Sequence, residues 1–91
     1  MKIKKGFMLR NVGNKNVVVA IGAASLELNG LITLNDTGAF IWKMLQKGCE
    51  YNDILDAILK EFDTDENTAK QGIDAFLEEV KNAKLLEEEN A

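Results

Sequence analysis

Histidine and proline are absent from this 91-residue chain, and cysteine occurs once. Without histidine the chain lacks the commonest general base and the commonest metal ligand. The single thiol, Cys49, closes no internal disulfide, joins no CxxC pair, and has no imidazole to activate it. A lone thiol suits a reducing compartment. No apolar run approaches the length of a membrane span. Behind the basic start, Phe7-Met8-Leu9 is cut short by Arg10, which leaves too little for a signal-peptide core. These absences predict a cytoplasmic protein that is not an enzyme, does not enter a membrane and carries neither metal nor cofactor.

What is present has the balance of an ordinary globular protein, 46% hydrophobic and 29% charged residues. The length predicts one domain over residues 1–91, with a core too modest to spare many side chains for chemistry. The net charge is -4. An acidic chain lacks the electrostatic attraction that supplies most non-specific nucleic-acid binding. The carboxylates fall on outward helix faces and in the tail Glu87-Glu88-Glu89, where solvation accounts for them without paired acid–base work.

The chain changes period at its middle. From about residue 6 to residue 34 it favours strands. Phe7 to Val12 reads as a first strand, and the β-branched run Asn16 to Ile21 as a second. Gly13-Asn14-Lys15-Asn16 between them predicts a hairpin. Residues 23–28 show no period and read as loop; Asn29-Gly30 is a turn signal before a short third strand, Leu31 to Leu34. Helical spacing then takes over. Asn35 or Asp36 caps a first helix over about 36–46, with Phe40, Ile41, Met44 and Leu45 as its stripe, Trp42 widening it, and Gly48 ending it. A second helix is expected over about 52–62, carrying Ile54, Leu55, Ile58, Leu59 and Phe62 on one face. A third is expected over about 65–84, carrying Ala69, Ile73, Phe76, Leu77 and Val80. Leu85-Leu86 would close the core. The basic start, Lys2, Lys4 and Lys5, reads as a solvated terminus.

The run Leu31-Ile32-Thr33-Leu34-Asn35-Asp36-Thr37-Gly38-Ala39-Phe40-Ile41-Trp42 resembles the PqqD family. So do Met44-Leu45 with Gly48, Ile54-Leu55, Phe62-Asp63-Thr64-Asp65, Ile73 to Leu77 and Leu85-Leu86, so the resemblance spans nearly the whole chain. Tyr51 departs from it, standing where the family often has a capping Thr or Ser, and the expected cap moves to Asn52. The resemblance implies an α+β fold, a three-stranded antiparallel sheet followed by a three-helix winged helix-turn-helix bundle. It also implies a function: binding the leader segment of a ribosomally made precursor peptide as a strand added to the third strand, against the third helix. The leader is then presented to a modifying enzyme, commonly a radical-SAM protein.

The residues meet the physical requirements of that mode. Strand addition needs an unpaired edge and pockets for alternate side chains. Leu31 and Thr33 point to one face of the third strand, and Ile32 and Leu34 to the other. Gly72, Ala75 and Glu79 form a second row on the third helix, beside Ile73 and Phe76 of the apolar stripe. Glycine inside a helix costs about 1 kcal/mol against alanine, so Gly72 points to a close backbone approach, by the sheet or by a guest peptide. These nine residues are the expected peptide-binding set.

Two other classes stay open on the residues. A winged-helix nucleic-acid binder is opposed by the second helix, which sets Asp53, Asp56 and Glu61 against Lys60 alone. A regulatory subunit binding a folded protein, or a homodimer formed through the exposed strand edge, would use the same surface differently.

Overall fold

The computed structural model describes residues 1–21 and 32–87. The expected loop at 23–28, the Asn29-Gly30 turn, Leu31 and the tail beyond Glu87 lie outside the described residues. Three strands come first, β1 (Phe7–Val12), β2 (Lys15–Ala20) and β3 (Ile32–Leu34), then three helices, α1 (Asp36–Lys47), α2 (Tyr51–Glu61) and α3 (Glu66–Asn82). The fold is α+β, with an antiparallel sheet in the order β1-β2-β3.

Local chemistry explains most boundaries. Val12 pairs with Lys15, so the hairpin loop is Gly13-Asn14 alone. Gly13 takes a φ of 64°, the sign that a tight hairpin turn demands at its first central residue. β2 therefore starts one residue earlier than expected and ends before Ile21, which is 49% exposed. Asn35 caps α1, its Oδ1 accepting from the Gly38 amide at 2.7 Å. Gly48 ends that helix at a φ of 91°, its amide donating to Met44 and Leu45 carbonyls.

Two helix ends differ from expectation. Glu50, not Asn52, caps α2; its extended backbone lets its amide donate to Asp53 Oδ2 at 2.9 Å, so α2 begins at Tyr51. α3 stops at Asn82 rather than reaching Lys84. Lys84 adopts a φ of 60°, the Lys84 amide donates to Lys81 O, and the Leu85 amide to Val80 O at 2.9 Å. That is a Schellman turn with lysine in place of glycine. It costs backbone strain of about 1 kcal/mol, offset by the burial of Leu85, which is 1% exposed against the core.

The core lies between one sheet face and the helices. Val18, Ile41, Trp42, Leu45, Ile54 and Ile73 have no exposure. Trp42 is thus a packing residue, its Nε1 without a hydrogen-bond partner among the described residues; leaving such a donor bare costs about 1–3 kcal/mol. Phe40 and Met44, expected at the centre of the α1 stripe, are half-buried at its flank, and Leu59 of α2 is exposed.

The basic start is not a free terminus. Ile3 is a core residue, its amide donating to Leu45 O at 3.0 Å. The Lys4 amide reaches Leu85 O, the Glu87 amide reaches Lys2 O, and the Met1 ammonium donates to Cys49 O at 2.8 Å. Lys2 and Lys5 still project into water, but the backbone beneath them ties the end of α1 to the segment after α3.

Candidate functional site

The side of β3 that no described strand pairs with opens onto a groove of about 600 Å³. β3 pairs with β2 along one edge, and the groove begins at the other. Thr33 and Leu34 form one wall, and the start of α1 (Asn35, Thr37, Gly38) continues it. Ile41 and Ile58 are apolar and buried at its base. Phe62 and Thr64, where α2 ends, contribute a third side; the Phe62 ring is held by an edge-on contact with Phe40 at 5.4 Å between centroids. The wall facing β3 is α3, through Thr68, Gly72, Ala75, Phe76 and Glu79.

Two glycines shape this space in different ways. A Cβ at Gly38 would stand 3.2 Å from Cε1 of Phe76 and 3.1 Å from the capping oxygen of Asn35. Glycine there lets the Phe76 ring lie against the first turn of α1, which sets the spacing between α1 and α3. At Gly72 a Cβ would meet nothing within 4 Å. The sheet does not come close to it; the space in front of Gly72 is open groove.

Of the residues expected to bind peptide, the structure brings Thr33, Leu34, Gly72, Ala75, Phe76 and Glu79 to one cavity. Ile32 packs against the core opposite fully buried Val18, on the same face of β3 as Leu34 but outside the cavity, and Ile73 is completely buried on the inner face of α3. Leu31 is outside the described residues. The sequence reading missed Thr68, which the spacing of Thr68, Gly72, Ala75 and Glu79 along one face of α3 already implied. It also read Asn35 only as a cap and gave Thr37 and Gly38 no part in the site. Nothing local marked Ile58, Phe62 or Thr64, because their place in the groove depends on where α2 ends relative to α3.

A family model described as Coenzyme PQQ synthesis protein D (PqqD) matches residues 17–86, which include β3 and all three helices. The chain belongs to the PqqD family. No curated protein matches it. Among solved structures, TbiB1 in complex with the TbiA(beta) leader peptide is similar with a TM-score of 0.77 and 26% sequence identity, over 100% of both chains. Lasso peptide synthetase B1 complexed with the leader peptide follows, with a TM-score of 0.71 and 19% identity over 92% of this chain and 93% of that one. The second likeness is one of fold.

Three titratable groups of this PqqD-family chain are shifted by burial or by hydrogen bonds of the fold. Burial pushes the Cys49 thiol up from its ordinary value, the reverse of the shift that activates a cysteine nucleophile. Tyr51 donates to Asp74 Oδ1 at 2.7 Å, linking α2 to α3, and that hydrogen bond raises the phenol above its usual value. Asp65 caps α3 through the Thr68 amide at 2.7 Å, which lowers its carboxyl. Among the described residues no group of three or more Cys, Asp or Glu is placed to hold a metal ion, and no helix is long and apolar enough to cross a membrane.

Proposed function

We propose that this chain captures the leader segment of a ribosomally synthesised precursor peptide as a strand added to β3, and presents it to a peptide-modifying enzyme of the radical-SAM class. The carrying observation is the pairing of an open strand edge with a helix face that is empty at Gly72. An added strand needs main-chain donors and acceptors on one side and room for its backbone and side chains on the other. β3 supplies the first through Ile32–Leu34; Gly72 and Ala75 supply the second. Alternate guest side chains would then turn inward onto Phe76, Ile41 and Phe62, the apolar part of the lining, with Ile73 beneath as their support.

Membership of the PqqD family supports this reading, as does the likeness to TbiB1, whose structure holds a leader peptide. A ribosomally made precursor is met in the cytoplasm, where a lone thiol such as Cys49 stays reduced.

The test is an NMR titration of the isotope-labelled chain with the leader of the precursor encoded beside its gene. The expected result is saturable shifts at Ile32–Leu34 and along Thr68–Glu79, with slowed amide exchange in β3. Absence of shifts at millimolar peptide would overturn the assignment for that precursor, and shifts confined to β1 would move the site to the other edge. Co-purification with the modifying enzyme encoded nearby, strengthened by the leader, tests presentation separately.

A further inference from the structure

We infer that the groove selects a peptide carrying a lysine or arginine at the position that faces Glu79; this rests on the proposed peptide-binding reading and adds a charge requirement to it. The lining of the groove is otherwise neutral. Among the described residues, Thr33, Asn35, Thr37, Thr64 and Thr68 offer hydroxyl and amide groups, the remainder of the lining is apolar or glycine, and Glu79 brings the one formal charge. Among the described residues its carboxylate has neither an ion pair nor a hydrogen bond; the nearest intrahelical example, Glu66 with Lys70 at 3.5 Å, lies at the other end of α3.

Among the described residues no lysine or arginine lines the cavity. Lys81, two residues on, leaves the helix about 200° away from Glu79 and faces off the groove. Glu79 also sits in the last turn of α3, at the negative end of the helix dipole. A cation arriving there meets an unneutralised carboxylate and a helix C-terminus together, beside a partly enclosed apolar surface that weakens screening by water.

Geometry fixes where the cation belongs in the guest. From Thr68 to Glu79 the row on α3 is about 16 Å long at 1.5 Å per residue, which an extended peptide covers in about five residues. The basic side chain therefore lies at one end of the docked segment, about five residues from the one beside Thr68, with uncharged residues between. The chain around the groove favours the same sign: residues 36–82 hold eleven acidic and five basic side chains, so approach of a cationic segment is assisted at low salt.

Short random peptides displayed on phage and selected against the full chain provide the test, with Gly72→Leu as a filter: only binders lost on that variant occupy the groove. Expected is enrichment of Lys or Arg at a single position among groove binders. On such a peptide Glu79→Gln weakens binding by about fivefold and flattens its salt dependence, and Glu79→Lys shifts the selected residue to Asp or Glu. Glu78→Gln, the same charge change one position round the helix and outside the lining, leaves affinity unchanged. Groove binders with no basic preference, or equal affinity for Glu79→Gln and Glu78→Gln, would overturn the cation requirement and leave the groove standing. If no selected peptide is sensitive to Gly72→Leu, the groove itself is not the binding site and both readings fall.

Discussion

Two faces of α3 run side by side and are built for opposite ends. One carries Ala69, Ile73, Phe76, Leu77 and Val80, all buried. The other carries Thr68, Gly72, Ala75 and Glu79, all exposed and all lining the groove. The first face removes apolar area from water and holds α3 to the domain. The second contributes little to stability and at Gly72 subtracts from it, since no neighbour within 4 Å requires the missing side chain. A helix selected for stability alone would place alanine there. The contrast is between a face whose residues return their cost in packing and one, turned to a cavity, that does not, which is what the proposed binding role requires.

The sharpest way to break the contrast is Ile73→Asp, which buries an unpaired carboxylate where exposure is 0%. A loss of about 5 kcal/mol is expected, from the cavity and the charge together. At this chain length that is enough to abolish the cooperative thermal transition seen by circular dichroism. A stably folded variant would show that the two faces are not distinct. Phe76 belongs to both, 8% exposed and yet lining the groove. Phe76→Ala should cost about 3 kcal/mol in chemical denaturation and weaken peptide binding in the same protein, at temperatures where it remains folded.

Gly72→Ala separates the faces in the other direction. It should raise the unfolding free energy by about 0.5–1 kcal/mol while reducing leader affinity by calorimetry. Stability and affinity moving together would deny Gly72 a role in the groove. The smallest effect concerns the tie between α2 and α3 away from the groove. Because the hydrogen bond to Asp74 raises the Tyr51 phenol, the folded chain holds that proton at a pH where the unfolded chain has lost it. Its stabilisation is complete below the ordinary tyrosine value near pH 10 and is lost as pH rises through the folded value. Tyr51→Phe should flatten the alkaline fall in melting temperature without altering leader binding at neutral pH.

Much of this was legible in the residues. The bounds of β1, the cap at Asn35, the stop at Gly48 and the five buried residues of α3 follow from spacing and capping over a few positions. The row Thr68, Gly72, Ala75 and Glu79 is visible as a periodicity, though three of its four members alone were picked out. Failures cluster where distant segments decide. Ile3 is buried because the first residues are clasped between Leu45 and Leu85. Lys84 accepts a left-handed backbone because Leu85 must reach the core. Asn52 is an acceptable cap by type, but the Glu50 amide finds Asp53 first.

The amino-acid order by itself determined the element sequence, the apolar stripe of α1, and the absence of a histidine-based site, since each depends on residue type and near-neighbour spacing. Tertiary structure decided which face of β3 meets the core, where Phe62 and Thr64 close the groove, and that the space before Gly72 is empty. Those outcomes depend on how the helices cross the sheet, and that is set by the simultaneous packing of Trp42, Ile54, Ile73 and Leu85, residues far apart in the chain and in contact only with a common core.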